Sequence, residues 1–266
     1  MNTALELRKR GLSVGIAAGV GDDPMGRALV ARLERLGLDV RGLVTTAART
    51  GLFLQGTRGR SGVGREVQAY RDFEAAPPQV PRGLRARWLV LSGILPLAAQ
   101  AEVFVRAASR ARRGGATVVL DVNTRPRAWR GHEGRLGEVS RVLGTADIVK
   151  ASKEDLQVLG LGAGEEGIKS LQRLLRRGAT LLVTDGAAVS RAIGMFGEAR
   201  AMPRSVVRGG MSRRGAPDAM GAGDAFLAGL LACLARTGVG ALDEGAWQRA
   251  LVRGNAAAGA WMRRAR

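Results

Sequence analysis

The chain has 266 residues, 46% of them hydrophobic, and its formal net charge of +19 is strongly positive. No run of about 18 apolar residues occurs, and the first ten residues include Glu6, Arg8, Lys9 and Arg10. We therefore expect neither a membrane span nor a signal peptide, which favours a cytoplasmic protein. The single cysteine excludes an internal disulfide and a cysteine-based zinc cluster.

The positive charge alone does not indicate a nucleic-acid partner. Almost all of the basic residues are arginines scattered along predicted helices, and the 5 Phe, 4 Trp and 1 Tyr offer few rings for base stacking. We expect no specific nucleic-acid partner, although nonspecific binding to polyanions at low salt follows from the charge. The lone histidine, His132, lies in a polar loop, which argues against a Ser–His–Asp triad.

The hydrophobic pattern alternates between short apolar strands and longer helices. Strands are predicted over residues 14–17, 88–91, 116–122, 146–149, 179–184 and 192–196. Helices are predicted over residues 22–36, 97–113, 133–143, 153–159, 165–177, 224–236 and 244–262. Repeated strand–helix units with continuously apolar strands predict an α/β fold, with a doubly wound, mostly parallel sheet and helices on both faces.

One segment breaks this alternation. Residues 50–56 and 63–71 are strand-like and flank the turn-rich Thr57-Arg-Gly-Arg-Ser-Gly, with no helix between them. This pattern predicts a β-hairpin flap inserted into the sheet sequence.

Residues 162–167 satisfy G-x-G-x-x-G but follow a helical segment and contain acidic residues, so they predict a helix–helix turn.

The glycine-rich stretch Gly221-Ala-Gly-Asp224 runs directly into an apolar helix. Gly221 and Gly223 allow a tight turn and a close approach of a ligand to backbone N–H groups, and helix starts attract phosphate. A carboxylate at Asp224 would repel phosphate unless it has a chemical role, so the arrangement suggests phosphoryl transfer. Plain helix capping by Asp224 is the structural alternative.

This stretch, followed by Ala-Phe and an apolar helix, resembles the C-terminal signature of the ribokinase-like, or phosphofructokinase B-type, carbohydrate kinases. The family usually has an Asp and two Thr-like residues before it, where this chain has Asp218-Ala-Met220. The resemblance implies that Asp224 is the catalytic base and that Gly221, Ala222 and Gly223 form the anion hole. It also implies a ribokinase-like fold, with ATP and Mg²⁺ as cofactors.

Further stretches resemble substrate-binding parts of the family. Asp121-Val-Asn-Thr-Arg125 resembles the Asp-x-Asn-x-Arg stretch of fructokinases and 2-keto-3-deoxygluconate kinases, which implies substrate contacts from Asn123 and Arg125. An Asx turn with a solvent-facing arginine is the alternative. Tyr70-Arg71 resembles the lid region of 2-keto-3-deoxygluconate kinases, where these side chains face an acidic sugar.

Other stretches resemble the nucleotide and metal sites. Glu154, in Lys150-Ala-Ser-Lys-Glu, resembles the glutamate that holds the magnesium hydration shell, with a helix cap as the structural alternative. Thr184-Asp-Gly186 resembles a turn near the nucleotide phosphates, and Asn255 lies in a stretch resembling the helix that lines the adenine pocket. The resemblance thus implies ATP binding by Thr184, Gly186, Gly221, Gly223 and Asn255, and a metal contact of Glu154 through water.

The resemblance covers nearly the whole chain except its start. Asn2-Thr-Ala4 resembles an early helix that the family places after its first strand, so we expect a misassigned start or a truncated kinase. We expect a single kinase domain over residues 1–266, with residues 45–75 forming the family's small β lid and offering a surface for a homodimer.

The expected substrate is a small sugar or keto-sugar acid, with a 2-keto-3-deoxygluconate-like acid as the first choice. A fructokinase acting on a neutral ketose is one alternative, and a noncatalytic nucleotide-binding relative is another. A protein that only binds polyanions would show steep salt dependence without saturable ATP binding.

Overall fold

The structure is a computed structural model that describes residues 1–55, 67–70, 86–93, 100–124, 133–186, 188–203, 221–237 and 242–264. The chain divides into two compact units. The first comprises Met1, Thr3–Arg8 and Ser13–Leu84. The second comprises Asn2, Lys9–Leu12 and Arg85–Arg266.

The elements before residue 85 are two helices and two strand pairs, within the described ranges. They are α1 (Asn2–Lys9), β1 (Gly15–Gly21), α2 (Pro24–Arg35), β2 (Asp39–Thr46), β3 (Leu52–Gln55) and β4 (Val67–Tyr70). β1 and β2 are parallel, and β3 and β4 are antiparallel, as the hairpin prediction required. The sequence analysis missed β2, because Asp39, Arg41 and Gly42 interrupt its apolar residues.

The predicted acidic start of α2 is confirmed at Asp23. Its carboxylate caps the helix by accepting a 2.7 Å hydrogen bond from the Gly26 amide. The same carboxylate accepts bonds from the backbone N–H and hydroxyl of Thr50, at 2.7 and 2.9 Å. These bonds, first those from the Thr50 and Gly26 amides, lower the pKa of Asp23 below its ordinary value. Asp23 therefore joins the start of α2 to the segment that precedes β3.

The second unit is built on a six-stranded sheet in the order β10-β9-β8-β7-β6-β5. The strands are β5 (Trp88–Ser92), β6 (Thr117–Asp121), β7 (Ile148–Ser152), β8 (Thr180–Thr184), β9 (Ser190–Gly194) and β10 (Gly197–Ala201). β5 to β8 are mutually parallel, whereas β9 runs antiparallel to β8 and β10 antiparallel to β9. The predicted mostly parallel sheet is confirmed, but β10 was not predicted, because small and charged residues dominate it.

Helices cover both faces of this sheet. On one face, apolar side chains of β6, β7 and β8 pack against α3 (Ala101–Arg113), α4 (Leu136–Leu143), α5 (Lys153–Val158) and α6 (Gly164–Leu174). α7 (Ala222–Thr237) and α8 (Glu244–Arg264) pack along each other and meet the opposite face, through contacts such as Asn255 with Ser190. The central strands β6, β7 and β8 are therefore buried on both faces, and Asp121 and Lys150 lie on the face opposite the apolar cluster.

Two boundary details bear on function. β7 continues to Ser152, beyond the predicted end at residue 149, so Lys150 lies within the strand. The G-x-G-x-x-G stretch lies between α5 and the start of α6, with Ala163 as the N-cap, and the predicted helix–helix turn is confirmed. Among the residues that the structure describes, no helix is long and apolar enough to cross a membrane.

Candidate active site at the start of helix α7

The turn formed by Gly221, Ala222 and Gly223, here called the glycine turn, leads directly into α7. The first intrahelical bond runs from the Ala225 amide to the Gly221 carbonyl, at 2.9 Å. Because a helix start leaves its first N–H groups without intrahelical partners, the amides of residues 222–224 are positioned to bind an anion. The positive end of the helix dipole lies at the same place.

Gly221 is required at its position for two reasons. Its φ of +84° lies in the left-handed region that favours glycine. A Cβ there would lie 2.6 Å from Cζ2 of Trp261 in α8, too close for any side chain. The indole ring of Trp261 thus closes one side of the glycine turn, which keeps the turn compact.

Asp224 places its carboxylate in the first turn of α7, where it is half-buried. Its Oδ2 accepts a 3.2 Å hydrogen bond from the side-chain amide of Asn2, which belongs to the same compact unit. The bond orients the carboxylate across the start of the helix. Asp224 can therefore act as a proton acceptor beside an anion site.

A buried ion pair lies on the sheet below the glycine turn. Lys150 Nζ is 2.8 Å from Asp121 Oδ1, and only 6% and 2% of the two side chains are exposed. The two residues are register partners on β6 and β7, so their side chains leave the same face of the sheet. Burial opposes the charge of Lys150, but Asp121, Asp155 and Asp224 together outweigh it and raise the pKa of the ammonium above its ordinary value. Burial likewise raises the pKa of Asp121, against the lowering effect of Lys150.

Asp155 is buried, and its carboxylate links two segments of the chain. Its Oδ1 accepts bonds from the N–H and hydroxyl of Thr124, at 2.7 and 2.6 Å. Its Oδ2 accepts bonds from the N–H and hydroxyl of Ser152, both at 2.7 Å, and completes the capping box of α5. This carboxylate therefore joins the loop after β6 to the start of α5.

Glu154, predicted to hold magnesium through water, is exposed in the first turn of α5. Mg²⁺ keeps several waters and is bound by one or two carboxylates together with substrate phosphates, so an exposed carboxylate fits this role. Within the described ranges, no group of three or more His, Cys, Asp or Glu side chains could hold a metal ion by itself. The role of Glu154 stays a prediction.

The other predicted residues lie at several places. Asn123 follows β6 and has a φ of 42°, a left-handed conformation that Asn tolerates better than most residues. Thr184 ends β8 as the register partner of Ser152, and Gly186 lies in the loop beyond it. The Asn255 amide donates to Ser190 Oγ at 2.9 Å and to the Ala201 carbonyl at 3.2 Å, so it joins α8 to β9 and β10. Their nucleotide and sugar contacts stay predictions.

Some predicted residues lie outside the described part of the chain. Arg125, Arg71 and His132 belong to this group. Tyr70 is described only as the last residue of β4, paired with Leu52.

Lys150, Asp121 and Asp155 were not predicted as site residues, although Asp121 and Lys150 lie in stretches that resemble the family and Asp155 follows one of them. The sequence did contain a signal for these residues. A charged residue at the end of an apolar strand lies at the carboxyl edge of the sheet, where ligands bind in open α/β folds. The ion pair itself could not be predicted, since it depends on the register of β6 against β7.

The fold and the site together define an α/β phosphotransferase: a doubly wound sheet with an anion-binding helix start and an adjacent carboxylate. Residues 1–265 match the pfkB family of carbohydrate kinases, and the chain belongs to that family.

Similar proteins include two curated relatives. A fructokinase of Klebsiella pneumoniae is 31% identical over 245 residues, which cover 90% of this chain and 76% of that enzyme. A 5-dehydro-2-deoxygluconokinase of Geobacillus kaustophilus is 27% identical over 165 residues, which cover 59% of this chain and 49% of that enzyme. The chain is thus similar to sugar kinases of two substrate types.

The fold is also that of a solved structure, the aminoimidazole riboside kinase of Salmonella enterica in complex with aminoimidazole riboside and an ATP analogue. That structure superimposes with a TM-score of 0.76 and 23% sequence identity, covering 97% of this chain and 82% of that one. The predicted ribokinase-like fold is therefore confirmed.

Proposed function

We propose that this sugar kinase transfers the γ-phosphate of ATP to a hydroxyl of a small keto-sugar acid. The observation that carries the proposal is the carboxylate of Asp224, held by Asn2 immediately after the glycine turn. A general base beside an anion site is the combination that phosphoryl transfer to an alcohol needs. A capping aspartate alone would explain neither the bond from Asn2 nor the charged Lys150 below the turn.

In the proposed reaction, Asp224 accepts the proton of the attacking hydroxyl. The amides of the glycine turn bind the charge that develops on the transferred group, and the positive end of α7 adds to their effect. Asn2 keeps the carboxylate oriented throughout. ATP would supply the phosphoryl group and Mg²⁺ would neutralise its phosphates, with Thr184, Gly186 and Asn255 holding the nucleotide and Glu154 the hydrated ion.

We further propose that β3 and β4 form the small β lid of one kinase domain, with Tyr70 as the last residue of β4. This lid proposal is supported by the antiparallel pairing of β3 with β4 in the segment between β2 and β5.

A keto-sugar acid is the preferred acceptor because the stretches that contain Arg71 and Arg125 resemble those of 2-keto-3-deoxygluconate kinases, and each arginine would offer a cation to an acidic sugar. The planar guanidinium group suits a carboxylate, with which it forms two parallel hydrogen bonds. The Geobacillus relative, whose name specifies a dehydro-deoxygluconate, supports this choice. The Klebsiella relative favours the alternative, a neutral ketose such as fructose.

The catalytic assignment is tested by Asp224→Asn, which keeps size and capping ability but removes the base. Phosphotransfer should fall at least about a hundredfold while ATP still binds. The matched control is Asp243→Asn, because Asp243 caps α8 by accepting from the Ala246 amide at 2.7 Å. The control should turn over like the unmodified protein, and an unchanged rate in Asp224→Asn would falsify the assignment.

The substrate assignment is tested by comparing kcat/KM for fructose and for keto-sugar acids such as 2-keto-3-deoxygluconate. We expect the acid to be preferred, and Arg71→Ala or Arg125→Ala to weaken its binding far more than that of fructose. Arg106→Ala is the control, since Arg106 is exposed and pairs with Glu102 on α3. Comparable kcat/KM for both sugars, or equal losses in the two variants, would favour the neutral ketose.

A further inference from the structure

The buried ion pair of Lys150 and Asp121 reaches the glycine turn itself. A Cβ built on Gly223 would lie 3.3 Å from Lys150 Nζ and 3.8 Å from its Cε. The ammonium therefore lies directly beside Gly223, next to the backbone that forms the predicted anion hole. Gly223 leaves that space to the lysine, because any side chain there would press against the ammonium.

Lys150 also has more negative charge around it than one ion pair requires. Besides Asp121, the carboxylates of Asp155 and Asp224 act on its charge. Asp155 is already engaged by Thr124 and Ser152, and Asp121 by Lys150 itself. Among the described residues, Lys150 is thus a cation that acts on Asp224 from the sheet side, beside the glycine turn.

A gain in folding stability does not explain the buried ion pair of Lys150 and Asp121. Removing an ammonium and a carboxylate from water is costly, and apolar residues of similar volume are often as stable or more so. Charged groups that are strongly perturbed by burial and specific partners occur preferentially at functional sites. A role in the reaction accounts for the position of the ammonium beside Gly223, which a purely structural pair would not need.

We propose that Lys150 is a positioning residue of the kinase site, whose ammonium, held by Asp121, supports the glycine turn and offsets the charge of Asp224. It acts through the turn, so that the backbone amides stay aimed at the transferred phosphate. This inference rests on the proposed function, since it takes the glycine turn as a phosphate site.

The test uses the double variant Lys150→Met/Asp121→Leu, which removes both charges and leaves no buried ion without a partner. We expect it to fold, because neither charge remains to be satisfied. Its turnover number should fall by about tenfold to a hundredfold, less than the loss expected for a direct catalytic donor. The matched control is Lys169→Met, which removes an exposed lysine of α6 that has no place in the proposed site. It should leave turnover unchanged.

A second readout separates positioning from folding. Calorimetric titration compares ATP with adenosine, which has no phosphates. We expect the double variant to bind ATP about tenfold or more weakly and adenosine as the unmodified protein does. A structural role would change neither ligand in a variant that folds normally, so unchanged turnover and unchanged ATP binding would overturn the proposal.

The two readouts keep this inference distinct from the proposed function. If the unmodified protein binds ATP but phosphorylates no sugar, the proposed function fails, and the ATP-to-adenosine comparison still decides the role of Lys150. If phosphotransfer is normal in the double variant, the proposed function stands and the inference fails. If the unmodified protein binds no ATP, both fail.

Discussion

Two clusters of charged side chains in the same compact unit differ in balance and burial. One is the buried ion pair of Asp121 and Lys150, near Asp155 and Asp224. The other, here called the hairpin cluster, joins Arg191, Glu198, Glu165 and Arg200 around β9 and β10.

The hairpin cluster is electrically balanced and partly open to water. Two arginines face two glutamates, and 12% of the Arg191 side chain and 25% of that of Glu198 are exposed. Hydrogen bonds from Arg191 and then Arg200 lower the pKa of Glu198 to about 2. The hydrogen bonds that Arg191 donates to Glu198 and Glu165 raise the pKa of its guanidinium group. Such a cluster needs no other explanation than stabilisation of the strand pair.

Among the residues that the structure describes, the buried cluster is unbalanced, with one lysine near three aspartates, and it lies beside the glycine turn. An excess of like charge in a buried place stabilises a fold poorly, and charged groups in such places occur preferentially at functional sites. The comparison teaches that the balance and burial of a charge cluster separate a structural role from a functional one.

The largest effect is expected for Asp121→Asn, which leaves the buried ammonium of Lys150 without its partner. The free energy of unfolding should fall by about 3–5 kcal/mol, measured by urea denaturation. Asp185→Asn breaks the exposed pair of Asp185 with Lys153 and should cost at most about 1 kcal/mol. Equal losses in the two variants would show that burial does not distinguish these pairs.

A smaller effect is expected for Gly221→Ala, compared with Gly197→Ala in the turn between β9 and β10. Both glycines have positive φ, +84° and +99°, so each alanine should cost about 1–2 kcal/mol. At Gly221 the new Cβ also meets the ring of Trp261, whereas at Gly197 no atom lies within 4 Å. Displacing the ring should add about 1–3 kcal/mol. Phosphotransfer should fall only in Gly221→Ala, and a loss of turnover in both variants would contradict this local explanation.

The smallest effect is expected for Glu198→Gln, at about 1 kcal/mol near neutral pH. Because the pKa of Glu198 is lowered from 4.5 to about 2, its stabilising effect is complete above about pH 4.5 and is lost as the pH falls toward 2. Thermal unfolding between pH 7 and pH 2 should therefore show a shallower acid limb in the variant than in the unmodified protein. Parallel acid limbs would show that Glu198 does not contribute to the pH dependence.

Local patterns in the sequence predicted most of the sheet and the centre of the site. Apolar runs such as residues 116–122 and 179–184 predicted β6 and β8, because central parallel strands are buried on both faces. The glycine turn and Asp224 are contiguous, so their spacing alone places a carboxylate at a helix start. β2 and β10 were not predicted, because both contain charged residues. The pairing of half-buried strands depends on tertiary contacts and not on apolar content alone.

The contacts that build the site were decided by the tertiary structure alone. Asp121 and Lys150 are 29 positions apart, and Asn2 and Asp224 are 222 positions apart. The sequence shows which of these residues are acidic, basic or neutral. It does not show which residue each of them contacts, because that depends on strand register and on how the helices pack. A shift of one residue in the register of β7 would turn Lys150 to the other face of the sheet and leave Asp121 unpaired. The sequence by itself determined which chemical groups were present at the carboxyl edge of the sheet, whereas the register decided which of them meet.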